Sequence, residues 1–460
     1  MRAPTDRPNV ILINCDDLGY GDVGCYGSTV HSTPHIDRLA AEGMRLTDFY
    51  MASAVCSPSR GAMMTGCYPQ RIGLGTGDNS SVVLFPGDAV GLNPEEITIA
   101  RLLRQQGYAT QLVGKWHLGD QPEFLPTQHG FDHYYGLPYS NDMGRQAGRE
   151  DRWPPLPLLR DDTVIQAQPD QAALTERYVE ESVRFVREHA QEPFFLYLAH
   201  MHVHLPLYAA PRFMDQSRNG PYGACVEAID WSVGVLLAEL QNLGLDNNTI
   251  VLFTSDNGSR THEGGSNEPL RGTKASTWEG GMRLPLIARW PGQIPAASTC
   301  GELATSMDLL PTLARLAGTH EPQDRTIDGG DIIDLWRAAP GATSPHEAFF
   351  YYWKDSLHAV RAGQWKLHLR RDRDDGEVQE LYDLAADVGE TANLFEQHPE
   401  VVSRLLQFAD EARADLGCQA SGIEGSGRRP CGRVAAPKRL TEYDPDHPYM
   451  IAMYDLTESG

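Results

Sequence analysis

Four short apolar runs stand out along the chain, and each leads directly into polar residues without an intervening hairpin turn. Continuous apolar runs of this length are typical of central strands in a parallel sheet, because both faces of such strands are buried. The four runs are Val10–Ile13, Ala109–Val113, Phe194–Ala199 and Ile250–Thr254. We therefore predict that they are central strands of a parallel sheet.

Helical patterns lie between these runs. Within Cys225–Leu243, apolar residues recur at three- and four-residue steps, and Gly244 occupies the position of a helix C-cap. Leu174–Val186 has a similar pattern. Strands that alternate with helices predict an open α/β sheet, in which ligands gather at the carboxyl ends of the strands. All four polar clusters fall at such ends, so we expect a functional site there.

The pattern changes after Pro345, where short strand-like segments replace the alternation of strands and helices. Strands are predicted at Ala348–Trp353, His358–Arg361, Gln364–Leu369 and Glu380–Leu384, and a helix is predicted at Glu400–Ala414. The expected fold class is α/β, with a large, mixed but mostly parallel sheet flanked by helices. We expect a catalytic domain of residues 1–345, followed by a C-terminal subdomain of residues 346–460 with a small antiparallel sheet, a helix and an irregular tail.

Composition argues against several classes of protein. The net charge of −23 over 460 residues repels phosphate backbones, which argues against nucleic-acid binding and, less strongly, against long polyanionic substrates. No apolar stretch approaches the roughly 18 residues that span a membrane, so no membrane partner is expected. The first residues contain no apolar leader, which predicts a cytoplasmic protein, or a periplasmic or secreted one if a leader has been removed. Cys418 and Cys431 could pair in an oxidising compartment.

Oxygen-bearing side chains end two of the predicted strands. Asp16 and Asp17 follow the first apolar run, and Asp256 and Asn257 follow the last. Oxygen ligands without His or Cys suit a hard cation such as Ca²⁺ or Mg²⁺. Either pair alone is more typical of an ordinary turn. Because both pairs end strands of the same predicted sheet, together they favour a metal site.

A second cluster surrounds Cys56. Pro58 is suited to the first turn of a helix, which places Cys56 near the helix N-terminus. Unpaired amides and the helix dipole make that position suitable for an anion and for a nucleophile. Arg60 adds a bidentate donor that suits a tetrahedral oxyanion. The alternative for an isolated cysteine is a small buried hydrophobic residue.

The remaining candidates are cations and histidines. Lys115 and His117 stand two residues apart, so in an extended segment they face the same side. Such side chains bind anionic groups and protonate a leaving oxygen, although a solvated Lys or a structural His is the alternative for each one. The further members of this group are His200, His202, His204 and Lys274, and the three histidines could also hold a transition metal. These residues together fit hydrolysis of a phosphate or a sulfate ester, and both alternatives stay open.

The segment from Cys56 to Gly66 resembles the type I sulfatases, the formylglycine-dependent branch of the alkaline phosphatase superfamily. Cys56-Ser-Pro-Ser-Arg60 and Thr65-Gly66 match every fixed position of the family signature C-x-P-S-R-x(4)-T-G. The resemblance continues over residues 8–395, through Asp16–Asp22, Gly114–Gly119, Val203–Pro206, Ser255–Gly258, Gly272–Lys274, Glu279–Pro285, Val360–Lys366, Leu381–Leu384 and Asn393-Leu394. It implies an alkaline phosphatase-like fold and an arylsulfatase-type enzyme that releases an alcohol and sulfate from an aryl or saccharide sulfate.

The resemblance also implies roles for individual residues. A dedicated formylglycine-generating enzyme would oxidise Cys56 to formylglycine, and Arg60 would orient the hydrated aldehyde. The implied ligands of the cation, usually Ca²⁺, are Asp16, Asp17, Asp256, Asn257 and the modified Cys56. The implied substrate contacts are Lys115, Lys274, His204 and, within the similar segment Leu137–Asp142, Ser140; His117 and His204 take acid and base roles. His200 and His202 do not match the family positions and are expected behind the site.

Two alternatives remain beside the sulfatase. One is a phosphonate monoester or phosphodiester hydrolase, which can use the same formylglycine and metal. The other is a binding protein that keeps the fold and leaves Cys56 unmodified. In either case we expect the pocket wall to come from Asn141–Arg149, Leu205–Arg212, Arg260–Glu268 and the tail after Cys418.

Overall fold

The computed structural model describes residues 7–146, 152–371 and 376–449. Its helices are α1 (Pro34–Ala41), α2 (Cys56–Thr65), α3 (Ile99–Gln105), α4 (Leu174–Glu188), α5 (Pro211–Met214), α6 (Gly220–Asn242), α7 (Glu279–Met282), α8 (Leu309–Leu316), α9 (Ile333–Trp336) and α10 (Pro399–Leu416). Its strands are β1 (Asn9–Cys15), β2 (Met44–Tyr50), β3 (Val90–Gly91), β4 (Ala109–Gly114), β5 (His133–Gly136), β6 (Pro157–Arg160), β7 (Thr163–Ala167), β8 (Phe194–Ala199), β9 (Thr249–Ser255), β10 (Arg283–Arg289), β11 (Ser298–Cys300), β12 (Ala304–Thr305), β13 (Phe349–Trp353), β14 (Ser356–Ala362), β15 (Trp365–Arg371), β16 (Gly376–Asp383) and β17 (Gly432–Arg433).

The main sheet is built around the four segments predicted as central strands. They are neighbours in the order β9–β1–β8–β4, and each adjacent pair is parallel. Every residue of β1, β8 and β9 is buried, which explains their unbroken apolar sequences. Antiparallel pairings of β10 with β9 and β2, and of β6 with β5 and β7, make the sheet mixed towards its edges. The predicted fold class is confirmed.

Helices cover both faces of this sheet. Successive residues of β1 point to opposite faces, so Val10 and Leu12 join one core cluster while Ile11 and Ile13 join the other. Residues of α2, α3 and α8 pack in the first cluster, and residues of α1, α4 and α6 pack in the second. The predicted helix Cys225–Leu243 is α6, and Gly244 follows it at a φ of +69°, as expected for a helix C-cap.

The C-terminal part contains the predicted small sheet. Strands β13, β14, β15 and β16 pair in that order, all antiparallel, and α10 packs against β14 and β15. The core behind this sheet includes Tyr50, Ala62 and Met282 of the preceding part. Because the two parts share a core, the domain division at residues 345 and 346 stays a prediction. The described part of the tail returns to the main body, where β17 pairs with β3; residues 450–460 lie outside the described ranges.

A buried ionic network joins the two parts. Glu279, at the start of α7, accepts hydrogen bonds from the Tyr351 hydroxyl at 2.8 Å and from Lys366 Nζ at 2.9 Å. Lys366 Nζ also lies 2.9 Å from Glu390 Oε1, and Lys366 and both glutamates are fully buried. Burial alone raises the pKa of Glu279, but the charges of Lys366 and two arginines outweigh it and hold the pKa well below its usual range. Buried ion pairs therefore hold the main sheet and the small sheet together.

We expect Lys366→Met to destabilise the protein by about 3–5 kcal/mol, because it removes the ammonium group that contacts both buried carboxylates. The measurement is the free energy of unfolding from urea denaturation. Glu180→Ala is the matched control, since Glu180 is 72% exposed in its ion pair with Arg184 and its loss should cost no more than about 0.5 kcal/mol. Equal losses in the two variants would show that the network does not stabilise the fold.

Candidate active site

The ends of β1 and β9 bring the predicted oxygen ligands together. Asp16, Asp17, Asp256 and Asn257 are all at least 98% buried. Asp17 N donates to Asp256 Oδ1 at 3.2 Å, and Asn257 Nδ2 donates to Asp17 Oδ1 at 2.7 Å. The expectation that two adjacent parallel strands deliver these side chains to one place agrees with the structure.

Cys56 lies beside these carboxyl groups. Helix α2 begins at Cys56 with Pro58 in its first turn, as predicted, and the Cys56 thiol donates to Asp16 Oδ1 at 3.3 Å. Burial, and then the charge of Asp16, raises the pKa of this thiol well above its ordinary value. Possible ligand atoms of Asp16, Asp17, Cys56 and His204 all lie within 4.8 Å of one another.

Three buried cations neutralise the carboxylates. Arg60 Nε donates to Asp256 Oδ2 at 2.8 Å, and Lys274 Nζ donates to Asp17 Oδ2 at 2.8 Å. Lys115 Nζ donates to Asp16 Oδ2 and, at 2.6 Å, to Ser140 Oγ. Burial disfavours the charged form of Lys115, but Asp16 outweighs it and raises the pKa of Lys115 above its ordinary value. The site is therefore a dense and closely balanced set of charges.

Backbone geometry turns Lys115 into this set. Gly114 ends β4 with a φ of +113°, and a Cβ atom there would lie 1.8 Å from the carbonyl oxygen of Ala199 on β8. Only glycine fits that position, because a side chain would collide with the neighbouring strand. Lys115 N then donates to the same Ala199 oxygen at 2.8 Å, which holds the chain as it leaves the sheet.

Two histidines have one ring nitrogen fixed by the backbone. His204 Nδ1 donates to the Leu205 carbonyl at 2.6 Å, which leaves Nε2 for proton exchange. His117 Nε2 donates to the Leu84 carbonyl at 3.0 Å, and its Nδ1 has no partner among the described residues. Burial lowers the pKa of both rings; Lys274 lowers that of His204 further, and Lys115 that of His117. Both rings thus favour the neutral form and present a defined nitrogen.

His200 and His202 lie behind the site. His200 Nε2 makes a 2.9 Å hydrogen bond with Ser232 Oγ, and the backbone oxygen of His202 accepts from Asp16 N at 3.1 Å. Burial lowers the pKa of His200 to about 3 and that of His202 to about 4. Neither belongs to the oxygen-rich group, in agreement with the sequence expectation.

The donor set fits a hard cation. Besides the carboxylates, Asn257 Oδ1 is buried and has no hydrogen-bond partner within residues 7–146, 152–371 and 376–449. Burial, and then the neighbouring charge of Asp16, raises the pKa of Asp256 to about 7, a sign of crowded negative charge. Carboxylate and amide oxygens in this arrangement are typical ligands of Ca²⁺ or Mg²⁺.

A cleft of about 420 Å³ opens above these groups. Its floor includes Cys56, His117, Ser140, His204 and Lys274, and its walls are Val55, Val82, Val83, Phe85, Asp142, Met143, Arg152, Trp153, Arg260, Ala275, Trp353 and Lys354. The expected wall segments are therefore only partly right. Asn141–Arg149 contributes Asp142 and Met143, with residues 147–149 outside the described ranges, and Arg260–Glu268 contributes Arg260.

The predicted contributions of Leu205–Arg212 and of the tail after Cys418 are wrong for the described residues, because none of them lines the cleft. The tail instead supports the loop that carries Val82, Val83 and Phe85. Arg433 bonds Asp78 at 2.9 Å, and Val434 N donates to the Ala89 carbonyl at 2.8 Å. The described part of the tail thus contacts the loop that carries these wall residues and does not itself line the cleft.

Comparison with known proteins identifies the chain. Residues 8–319 match the sulfatase family, and residues 273–414 match the C-terminal region of N-sulphoglucosamine sulphohydrolase. The chain belongs to the sulfatase family. This sulfatase is 42% identical to N-acetylgalactosamine-6-sulfatase of Canis lupus familiaris over 378 residues, which cover 78% of the chain and 71% of the relative. It is 38% identical to arylsulfatase A of Homo sapiens over 448 residues, which cover 87% of each.

Solved structures agree with this assignment. The PsFucS1 sulfatase from Pseudoalteromonas sp. superposes with a TM-score of 0.80 at 29% identity, covering 91% of this chain and 92% of that one. The sulfatase is therefore a hydrolase of sulfuric esters, as the resemblance implied.

Among the described residues, no helix is both long and apolar enough to cross a membrane. Cys418 and Cys431, which could have paired, are both free thiols.

The site predicts a stabilising response to a divalent cation. We expect Ca²⁺ or Mg²⁺, added to chelator-treated protein, to raise the melting temperature. A free cation concentration of 100 times the dissociation constant stabilises the folded state by about 2.7 kcal/mol. Asp17→Asn should lose most of the rise, whereas Asp410→Asn, at a 77% exposed side chain, should keep it. A rise of equal size in Asp17→Asn would place cation binding elsewhere.

Proposed function

We propose that this sulfatase cleaves the sulfate ester of an aryl or saccharide alcohol through a covalent step at position 56, after oxidation of Cys56 to formylglycine. The position of Cys56 is the main observation that supports this proposal. It begins helix α2, contacts Asp16 and faces the cleft among the lysines and histidines described above. Maturation then requires a formylglycine-generating enzyme as a partner, and the hydrated aldehyde supplies a hydroxyl nucleophile.

The chain's own residues bind the sulfate group. Lys115 and Lys274 are buried cations whose ammonium groups can bond the oxygens of a sulfate ester, and Ser140, bonded to Lys115 Nζ at 2.6 Å, adds a hydroxyl donor. Arg60 holds Asp256 and the Lys115 carbonyl, so it positions the start of α2 against the strand ends. These groups orient the ester towards position 56.

The two histidines move protons at defined atoms. His204 Nε2 has no proton in the neutral ring, because the ring proton is on Nδ1 and bonds the Leu205 carbonyl. It takes up the proton that the attacking hydroxyl at position 56 loses and passes it to the leaving alcohol oxygen. His117 Nδ1 accepts the proton of the second hydroxyl at position 56, and sulfate then leaves as the aldehyde re-forms; Nδ1 is free to accept because the ring proton is on Nε2 and bonds the Leu84 carbonyl. Each backbone hydrogen bond thus determines which ring nitrogen exchanges a proton with the reacting groups.

A divalent cation, Ca²⁺ or Mg²⁺, would be held by Asp16, Asp17, Asp256, Asn257 and position 56. Bound there, it would stabilise negative charge on the sulfate oxygens and on the nucleophile as a Lewis acid. The donor set and the unpartnered Asn257 oxygen support this assignment.

We expect Cys56→Ala to lower the kcat for 4-nitrophenyl sulfate by at least about 10³-fold, because removal of a covalent nucleophile has effects of that size or larger. Cys225→Ala is the matched control, since Cys225 is equally buried but lies in α6, away from the cleft. Mass spectrometry of the Cys56 peptide should show a loss of about 18 Da where thiol has become aldehyde. Full activity in Cys56→Ala would end the covalent proposal.

We also expect a preference for aryl sulfates over aryl phosphodiesters in kcat/KM. Two lysines and a serine surround the place of the ester and suit a group with three unsubstituted oxygens, whereas a diester places a second substituent among buried cations. Parallel assays with 4-nitrophenyl sulfate and bis(4-nitrophenyl) phosphate measure the preference. The reverse preference would favour the phosphonate monoester or phosphodiester hydrolase.

A further inference from the structure

The cleft has an apolar surface beside the catalytic floor. Val55, Ala275 and Trp353 form one buried cluster, with Val82 and Val83 packed against it. These residues come from separate parts of the chain, and all of them line the cleft. Such a surface accepts the apolar face of a ring, whether aromatic or saccharide, so it does not by itself distinguish the two kinds of alcohol.

Asp142 is an acidic residue of the cleft wall, whose other charged residues are the cations Arg152, Arg260 and Lys354. It follows Ser140 by two residues on the loop beyond β5, lines the cleft and is only 6% exposed. The backbone around it is fixed, because Met143 N donates to the Ser140 carbonyl at 3.1 Å and Gln146 Nε2 donates to the Asp142 carbonyl at 3.0 Å. The position of Asp142 relative to Ser140 is therefore built into the loop.

The Asp142 carboxylate has one oxygen that receives no hydrogen bond from the described residues. Its Oδ1 is buried and has no hydrogen-bond partner in the three described ranges. Asp22, another buried aspartate, shows the usual arrangement, with hydrogen bonds from Gly19 N at 2.7 Å and Ser266 N at 2.8 Å. A buried acceptor without a donor costs free energy, and a ligand that brings a donor recovers it.

We propose that Asp142 is a specificity-determining residue that accepts a hydrogen bond from a hydroxyl or N–H group on the alcohol part of the substrate. The terminal torsion of an aspartate is soft, so a small rotation presents either oxygen to the cleft. Saccharides and hydroxylated aryl rings both combine an apolar face with hydroxyl donors. The inference rests on the proposed function and deepens it: the preferred substrate is a hydroxylated ring sulfate, not a bare aryl sulfate.

Two aryl sulfates that differ by one hydroxyl test this directly. For 4-nitrocatechol sulfate, which carries a hydroxyl beside the ester, Asp142→Ala should lower kcat/KM by about 10- to 100-fold. For 4-nitrophenyl sulfate, which has no such donor, the change should stay within about threefold. Asp142→Asn keeps an acceptor oxygen and should recover part of the selectivity, and Asp410→Ala should not alter it. Equal losses on both substrates would mean a structural role and overturn the proposal.

A binding measurement separates this inference from the covalent mechanism. In the Cys56→Ala background, calorimetry with a hexose 6-sulfate should show binding that Asp142→Ala weakens at least about tenfold, while the affinity for 4-nitrophenyl sulfate is unchanged. That result would support the role of Asp142 even if turnover did not depend on position 56. Unchanged affinity for the hexose sulfate in the double variant would overturn the role of Asp142, whatever the activity assays show.

Discussion

The contact of Asp16 with Lys115 and Cys56 is the interaction on which the site depends. Asp16 directly follows the central strand β1, so it meets Lys115, which follows β4, and Cys56 at the start of α2. Three carboxylates, Asp16, Asp17 and Asp256, face three cations, Arg60, Lys115 and Lys274. In a buried site an excess of either sign is costly. The proposed cation and an anionic ester therefore favour each other's binding, because each offsets the charge that the other brings.

The central sheet and the polar residues at the ends of its strands could be predicted from local patterns in the sequence, whereas Ser140 and the choice of His204 came only from the family resemblance. Unbroken apolar runs indicated β1, β4, β8 and β9, and the polar residues directly after them were expected at one edge. Parallel pairing then brings those residues together independently of the conformations of the loops. Even the start of α2 at Cys56 followed from Pro58.

The walls of the cleft could not be predicted in the same way. Trp353 reaches the cleft from the C-terminal sheet, and Val82 and Val83 reach it from a loop without regular apolar spacing. Their positions depend on packing between segments that are distant in the sequence. His117 is a related case: its φ of +63° departs from the extended segment assumed for Lys115 and His117, yet the ring still faces the cleft. Tertiary contacts, and not local patterns, decide such details.

The C-terminal part is consequently a component of the active site as well as a separate sheet. Lys366 and Glu279 hold it against the main sheet, and Trp353 and Lys354 then enter the cleft wall. The proposed contacts with the sulfate group lie in the floor, and every sulfate ester carries that group, whereas the wall faces the alcohol part. Selectivity for the alcohol must therefore arise in the wall. Within that wall, Asp142 differs from the apolar residues and from the cations because its carboxylate can accept a hydrogen bond, and only some alcohols carry the donor.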